Sequence, residues 1–153
     1  MRNQVFRTAV TIILLLLGGT AMRFSVLASP VSSIINVPND YPTIQEAIKA
    51  ADSGDTIHVQ SGTYKEHVIF DKPNLTLIGE NRLDTIIDGE GEGNVVSLKA
   101  NGSKISGFTL THGYSGIQMS PWTQSHEITS NIITGNEFGI RGHYDVHDVV
   151  ISN

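Results

Sequence analysis

The sequence predicts an all-β fold: a right-handed parallel β-helix, a solenoid with a capping α-helix at its N-terminal end. Three observations carry that expectation. Lys104–Ile117 and Glu127–Ile140 superpose at a constant offset of 23, so that Ile105 meets Ile128, Leu110 meets Ile133, Gly116 meets Gly139 and Ile117 meets Ile140. The repeat consists of short β-branched runs broken by Gly and Asn, with no room in one period for a helix. The same register runs backwards: Ile87 precedes Leu110 at that same offset, and Val96 precedes Ile117 at an offset of 21. Each strand of such a solenoid lies over its counterpart in the previous coil at about 4.8 Å. Inward positions then stack apolar on apolar. Turn positions stack Gly on Gly and Asn on Asn, because both tolerate left-handed backbone and Asn side chains can form a ladder. The right hand follows from the crossover rule for parallel strands. About three regular coils and an irregular first one are expected.

In chain order, Met1–Ala28 reads as an export signal. Arg2 and Arg7 precede an apolar core over Thr8–Gly19, and Val26-Leu-Ala28 offers a small-residue cleavage site. The core is about twelve residues, short of the ~20 that span a bilayer. An uncleaved anchor is the alternative. Residues 29–153 form the β-helix domain, with no transmembrane segment in the mature chain. Ile34–Val37 is a short strand. Thr43 is an N-cap with Glu46 three residues on, the capping-box pattern. Ile44, Ala47, Ile48 and Ala51 then fall on one helical stripe. A short amphipathic helix placed just before the first strands suits the open apolar end of a stack. Strands follow at Thr56–Val59, Tyr64–Phe70, Leu75–Ile78, Thr85–Asp88 and Val95–Leu98, with turns at Gln60–Thr63 and Lys72–Asn74. Asp88–Asn94 is an acidic, Gly-spaced loop. A further copy begins as Val150–Asn153 at offset 22, placing Ser152-Asn153 over Ser130-Asn131. A new coil broken off at Asn153, three or four residues after it begins, predicts either a C-terminally truncated solenoid or end-to-end self-association.

Composition agrees with a turn-rich β protein. The 153 residues include 15 Gly, no Cys and only 16% charged residues. Without Cys there is no disulfide framework and no thiolate metal site. Three of the ten Lys and Arg residues lie before Ala28, which leaves seven against fifteen Asp and Glu beyond it. That balance argues against nucleic acid as a partner.

Val37-Pro-Asn-Asp-Tyr-Pro-Thr-Ile-Gln-Glu-Ala-Ile-Lys-Ala-Ala51, Gly54–Val59, Gly62–Glu66 and Leu75–Gly79 resemble the start of pectinesterases and other exported β-helix proteins of the pectin lyase-like superfamily. These include the NosD-type periplasmic copper-maturation proteins. Ile105–Leu110 and Asn136–Ile140 look like that group's carbohydrate-binding and sugar-hydrolysis repeats. The resemblance covers roughly Val37–Asn153. It implies a periplasmic, secreted or cell-surface protein that binds or processes polysaccharide or cell-surface glycan, or a copper-handling accessory protein, or a structural solenoid. The pectinesterase catalytic segments are absent from this chain, and so is a recognisable lyase carboxylate cluster, so the resemblance names no activity.

Several residues are candidates for chemistry. Trp122, in the loop Ser120–Gln124, is the only tryptophan, and with Tyr144 it could stack on sugar rings. His143, His147 and His126 are metal candidates, since at offset 22 Asp148 sits over His126 and His147 over Ser125. Imidazole with carboxylate suits Cu²⁺ or Zn²⁺. Asp145 and Asp148, with Arg141 nearby, are the candidate carboxylates for acid–base sugar chemistry. The loop Asp88–Glu92 could hold Ca²⁺. No cofactor is required by the sequence.

Overall fold

The computed structural model describes residues 32–152; the export-signal reading of Met1–Ala28 and the placement of Asn153 lie outside the described residues. The chain forms a parallel β-solenoid of about five turns. Its strands are β1 (Ile34–Val37), β2 (Thr56–Val59), β3 (Gly62–Lys65), β4 (Val68–Phe70), β5 (Thr76–Gly79), β6 (Thr85–Asp88), β7 (Asn94–Leu98), β8 (Lys104–Ser106), β9 (Thr109–Thr111), β10 (Ser115–Met119), β11 (Glu127–Thr129), β12 (Ile132–Ile133), β13 (Phe138–Gly142) and β14 (Val150–Ser152), with one helix, α1 (Ile44–Ala50).

Three parallel sheets form the walls. Sheet A runs β1-β2-β5-β8-β11-β14, sheet B runs β3-β6-β9-β12, and sheet C runs β4-β7-β10-β13. Each regular coil contributes one strand to each sheet. The register matches the sequence columns: Ile105 pairs with Ile128 and Ile117 with Ile140, Leu110 pairs with Ile87 and Ile133, and Val96 with Ile117. Ile57, Leu77, Ile105 and Ile128 form one buried column of sheet A. Stacking identical faces every coil removes apolar surface from water on all three walls at once.

Two segments differ from the sequence expectation. Gly62 and Thr63, read as a turn, begin β3, and Glu66-His67 divides it from β4. The final copy keeps the offset of 23, pairing Thr129 with Ser152, rather than the 22 inferred from Ser-Asn matching. The reason lies in the corners. Left-handed residues recur at Trp122 and Asp145 and at Ser125 and Asp148, so both loop corners step by 23. A step of 22 would put the left-handed Asp145 and Asp148 over Thr123 and His126, which are not left-handed.

The helix closes the first coil. Ile44, Ala47, Ile48 and Ala51 are fully buried. Thr43 Oγ1 accepts the Glu46 N–H at 3.2 Å, as its N-cap position predicts. The Ile44 and Gln45 N–H groups donate to the Glu66 carboxylate at 3.0 Å each, a cap supplied from one coil later. The Gln45 amide both accepts from and donates to the Ile69 backbone, which satisfies β4, the edge strand of sheet C. Lys72 Nζ donates to the Lys49 and Ala51 carbonyls and so closes the helix C-terminus.

The turns hold by cross-coil bonds rather than by an Asn ladder. Asn131 Oδ1 accepts the Phe108 N–H at 3.0 Å, and its Nδ2 donates to the Ile105 carbonyl at 2.9 Å. Asn136 repeats the pattern with Gly113 N–H and the Leu110 carbonyl. Each asparagine thus bonds to backbone of the coil beneath rather than to another asparagine side chain. Gly116 and Gly139 stack as predicted, and Gly79 and Gly107 form a second glycine pair that the offset of 23 did not give. A Cβ on Gly107 would collide with the Gly79 carbonyl oxygen, and Gly107 has φ +81, so only glycine fits that approach.

Candidate functional site

The outer face of sheet C is bordered by turns that carry most of the exposed aromatic and ionisable side chains. The strands β7 and β10 start a few residues after Asp88, at the end of β6, and after Glu90 and His112. The strands β10 and β13 end at the loops holding Trp122 and Tyr144. The face therefore lies between two rims, and both rims run along the solenoid axis because equivalent loops stack.

At the strand-end rim, Trp122 and Tyr144 come from successive coils. Their rings meet edge to face with centroids 5.6 Å apart, and they are 69% and 68% exposed. Two amphipathic rings left open to water despite their apolar area are the feature of this rim that asks for a partner. On β13, Arg141 lies over two rings, 4.7 Å from the Phe138 centroid and 5.2 Å from that of Tyr114. Phe138 and Tyr114 themselves pack edge to face at 5.2 Å. A guanidinium held on two rings is a cation–π arrangement.

At the strand-start rim, register places Lys65 beside Asp88 and Asp88 beside Thr111, with His112 next in the chain. Lys65 Nζ pairs with Glu90 at 2.9 Å. Asp88 Oδ1 accepts the Glu90 N–H at 2.9 Å and the His112 Nδ1–H at 3.1 Å. The Glu90 N–H holds the Asp88 carboxyl below its ordinary pKa, helped by His112 and by the charge of Lys65. The bond to Glu90 raises the Lys65 pKa. These four side chains and Gly91 line an open hollow of about 470 Å³.

The remaining sequence candidates separate. His143, Tyr144, Asp145, His147 and Asp148 are exposed on the last loop. His147 Nδ1 bonds to its neighbour Asp148 at 3.0 Å, and His147 bridges Gln124 rather than lying over Ser125. His126 is 1% exposed, with neither ring nitrogen hydrogen-bonded. Burial lowers its pKa, opposed in part by the Ser103 backbone. With the offset corrected to 23, Asp148 stacks above Ser125, so the expected His126–Asp148 column is not formed. Among the described residues no group of three or more His, Cys, Asp or Glu side chains is gathered closely enough to hold a metal ion. Arg141 is engaged with Tyr114 and Phe138. In the loop considered for Ca²⁺, the Asp88 and Glu90 carboxylates are occupied by His112, backbone and Lys65.

Sequence reasoning missed Tyr114, Phe138, Lys65 and His112. Lys65 and Asp88 are register partners at the same offset as the inward columns, so applying the period to outward positions would have found them.

Among the described residues no helix is long and apolar enough to cross a membrane. No protein-family model matches the chain, and no curated protein matches it. Solved structures do. The chain has the pectin lyase-like fold, a right-handed parallel β-helix. It is similar to an alginate lyase from Paenibacillus sp. str. FPU-7, with a TM-score of 0.58 and 20% identity over 79% of this chain and 43% of that one. It is also similar to a pectin methylesterase mutant in complex with a hexasaccharide, with a TM-score of 0.59 and 14% identity over 81% of this chain and 49% of that one. A second pectin methylesterase–hexasaccharide complex gives 0.53 and 13% over 80% and 46%. The chain thus spans less than half the length of these structures.

Proposed function

We propose that this is an exported β-helix protein whose sheet C face binds an extended polysaccharide lying along the solenoid axis. The observation that carries this reading is the Trp122–Tyr144 pair, two open rings at the rim of that face. A sugar ring presents C–H groups on one side, and these pack on aromatic faces, while hydroxyls need polar partners at the margin. Arg141, held on Tyr114 and Phe138, and Gln118, its register neighbour, supply such partners. Stacking of equivalent loops repeats the surface along one axis, which suits a polymer better than a small ligand. The likeness to polysaccharide-processing enzymes supports the reading at the level of fold. The apolar core before Ala28 supports export. The copper-handling alternative draws no support from the described residues.

The test is affinity electrophoresis and Trp122 fluorescence against neutral and acidic polysaccharides. A retarded, quenched wild type and an unretarded Trp122→Ala variant are expected. Equal migration of both proteins in every gel would sink the proposal.

A further inference from the structure

We infer that Asp88 and His112 form a proton-accepting pair and that the hollow they line hydrolyses an uncharged O-acyl ester carried on a sugar. The inference rests on the reading of sheet C as a saccharide surface, since it places a reactive group at the edge of that surface. The geometry begins with Asp88. Its Oδ1 takes the Glu90 N–H and faces His112 Nδ1. An ionised carboxylate only accepts hydrogen bonds, so Nδ1 must be the protonated nitrogen. In the neutral ring the lone pair then lies on Nε2, on a side chain 61% exposed at the hollow. His112 has φ +53, a left-handed corner directly after the buried Thr111 of β9. A carboxylate that orients an imidazole, with the second nitrogen turned to a reacting group, is how a histidine serves as general base.

The charges around the hollow select the substrate class. Asp88 and Glu90 both line it, with Lys65 as the single ammonium. Two carboxylates disfavour a ligand that arrives negatively charged, which argues against a free uronate. An uncharged ester meets no such repulsion, and negative charge appears only as water adds to its carbonyl. Lys65, held by Glu90, lines the same hollow as His112, and an ammonium there favours charge that develops only in the transition state. In the step, a water O–H proton moves to His112 Nε2 while the water oxygen bonds to the acyl carbon. The tetrahedral adduct collapses by breaking the acyl C–O bond, and the sugar oxygen takes the proton back from Nε2. The products are a free acid and a sugar hydroxyl, and no other reactant is needed. His112 is the catalytic residue and Asp88 a positioning residue.

The experiment measures acetate release from acetylated xylo-oligosaccharides and nitrophenol release from p-nitrophenyl acetate. The wild type is compared with His112→Asn, Asp88→Asn and Trp122→Ala. Asparagine tolerates the left-handed corner at position 112, so the fold is kept, and circular dichroism confirms it. General-base catalysis contributes ~100-fold or more, so H112N should lose about that factor on both substrates. D88N should slow both substrates, and ¹⁵N NMR should show His112 protonated on Nδ1 in the wild type and shifted towards Nε2 in D88N. W122A should slow only the oligosaccharide. A wild type that releases no nitrophenol above buffer, an H112N variant at the wild-type rate, or an Nε2–H tautomer in the wild type overturns the pair's role. If H112N is inactive but W122A cleaves the oligosaccharide normally, the pair stands and the polysaccharide-binding reading fails.

Discussion

Replacing Asn131 by alanine tests the idea that single side chains stitch one coil to the next. Asn131 is 7% exposed. Its Oδ1 accepts from Phe108 N–H at 3.0 Å and its Nδ2 donates to the Ile105 carbonyl at 2.9 Å, and Phe108 is itself fully buried. Truncation leaves that N–H without an acceptor and takes the side-chain donor from that carbonyl, in a corner that water enters poorly. Each unsatisfied buried group costs about 1–3 kcal/mol. The carbonyl has a second lone pair and suffers less, so a total of about 2–4 kcal/mol is expected. At roughly 4 °C per kcal/mol for a domain of this size, the midpoint should fall by about 8–16 °C. Asn136 makes the same two bonds from a half-buried turn, where solvent replaces them, so Asn136→Ala should cost about 1 kcal/mol. Asn131→Asp keeps the acceptor and should fall between the two. Urea denaturation followed by circular dichroism provides the values, with the midpoint moving and the slope unchanged. A loss below about 0.5 kcal/mol in N131A, the low end for a single net hydrogen bond, or a larger loss in N136A than in N131A, would refute cross-coil bonding as the source of order at these corners.

Gly107→Ala combines a left-handed backbone, worth about 1–2 kcal/mol against any L side chain, with a Cβ driven into the Gly79 oxygen; it should cost more than N131A, and a Gly107→Ala protein melting at the wild-type temperature would contradict the close approach. His126 is buried neutral, and burial lowers its pKa, so below pH about 6.5 the unfolded chain binds a proton that the folded chain resists. Its contribution is complete above that pH and is lost as pH falls towards the depressed folded value, with a slope approaching about 1.4 kcal/mol per pH unit. Melting curves from pH 7 to 5 should be flatter for His126→Leu than for the wild type; parallel curves would show that another group carries the acid sensitivity. Trp122→Ala and Tyr144→Ala should each weaken polysaccharide binding by about 1–1.5 kcal/mol, on the order of ten-fold in Kd, read by isothermal titration, whereas Leu83→Ala, equally exposed at 67% but away from the sheet C rims, should leave Kd unchanged.

The solenoid was legible because it is written locally and repeatedly. One constant offset ties Ile105 to Ile128 and Ile117 to Ile140, and a strand one coil away has no other way to bury both apolar columns. The helix was legible for the same reason, since Thr43 and the stripe Ile44, Ala47, Ile48, Ala51 act within two turns of chain. Where repetition lapsed, the sequence misled: Ser152 resembles Ser130, but left-handed corners at Trp122 and Asp145 hold the step at 23. That one-residue difference separates His126 from Asp148 and dissolves the expected column. The remaining features depend on distance through space rather than along the chain. Glu66 caps a helix from the preceding coil, Asn131 bonds to Phe108 and Ile105, and Arg141 settles on Tyr114 and Phe138. Residue order alone therefore sets the coil, its period and its cap, because inward packing is periodic and each column must be apolar throughout. The rims of sheet C were decided only by the folded chain, because the period sets which outward positions are neighbours, as Lys65 and Asp88 are, but not which side chains beyond the strands, such as Glu90 and His112, then pair with them.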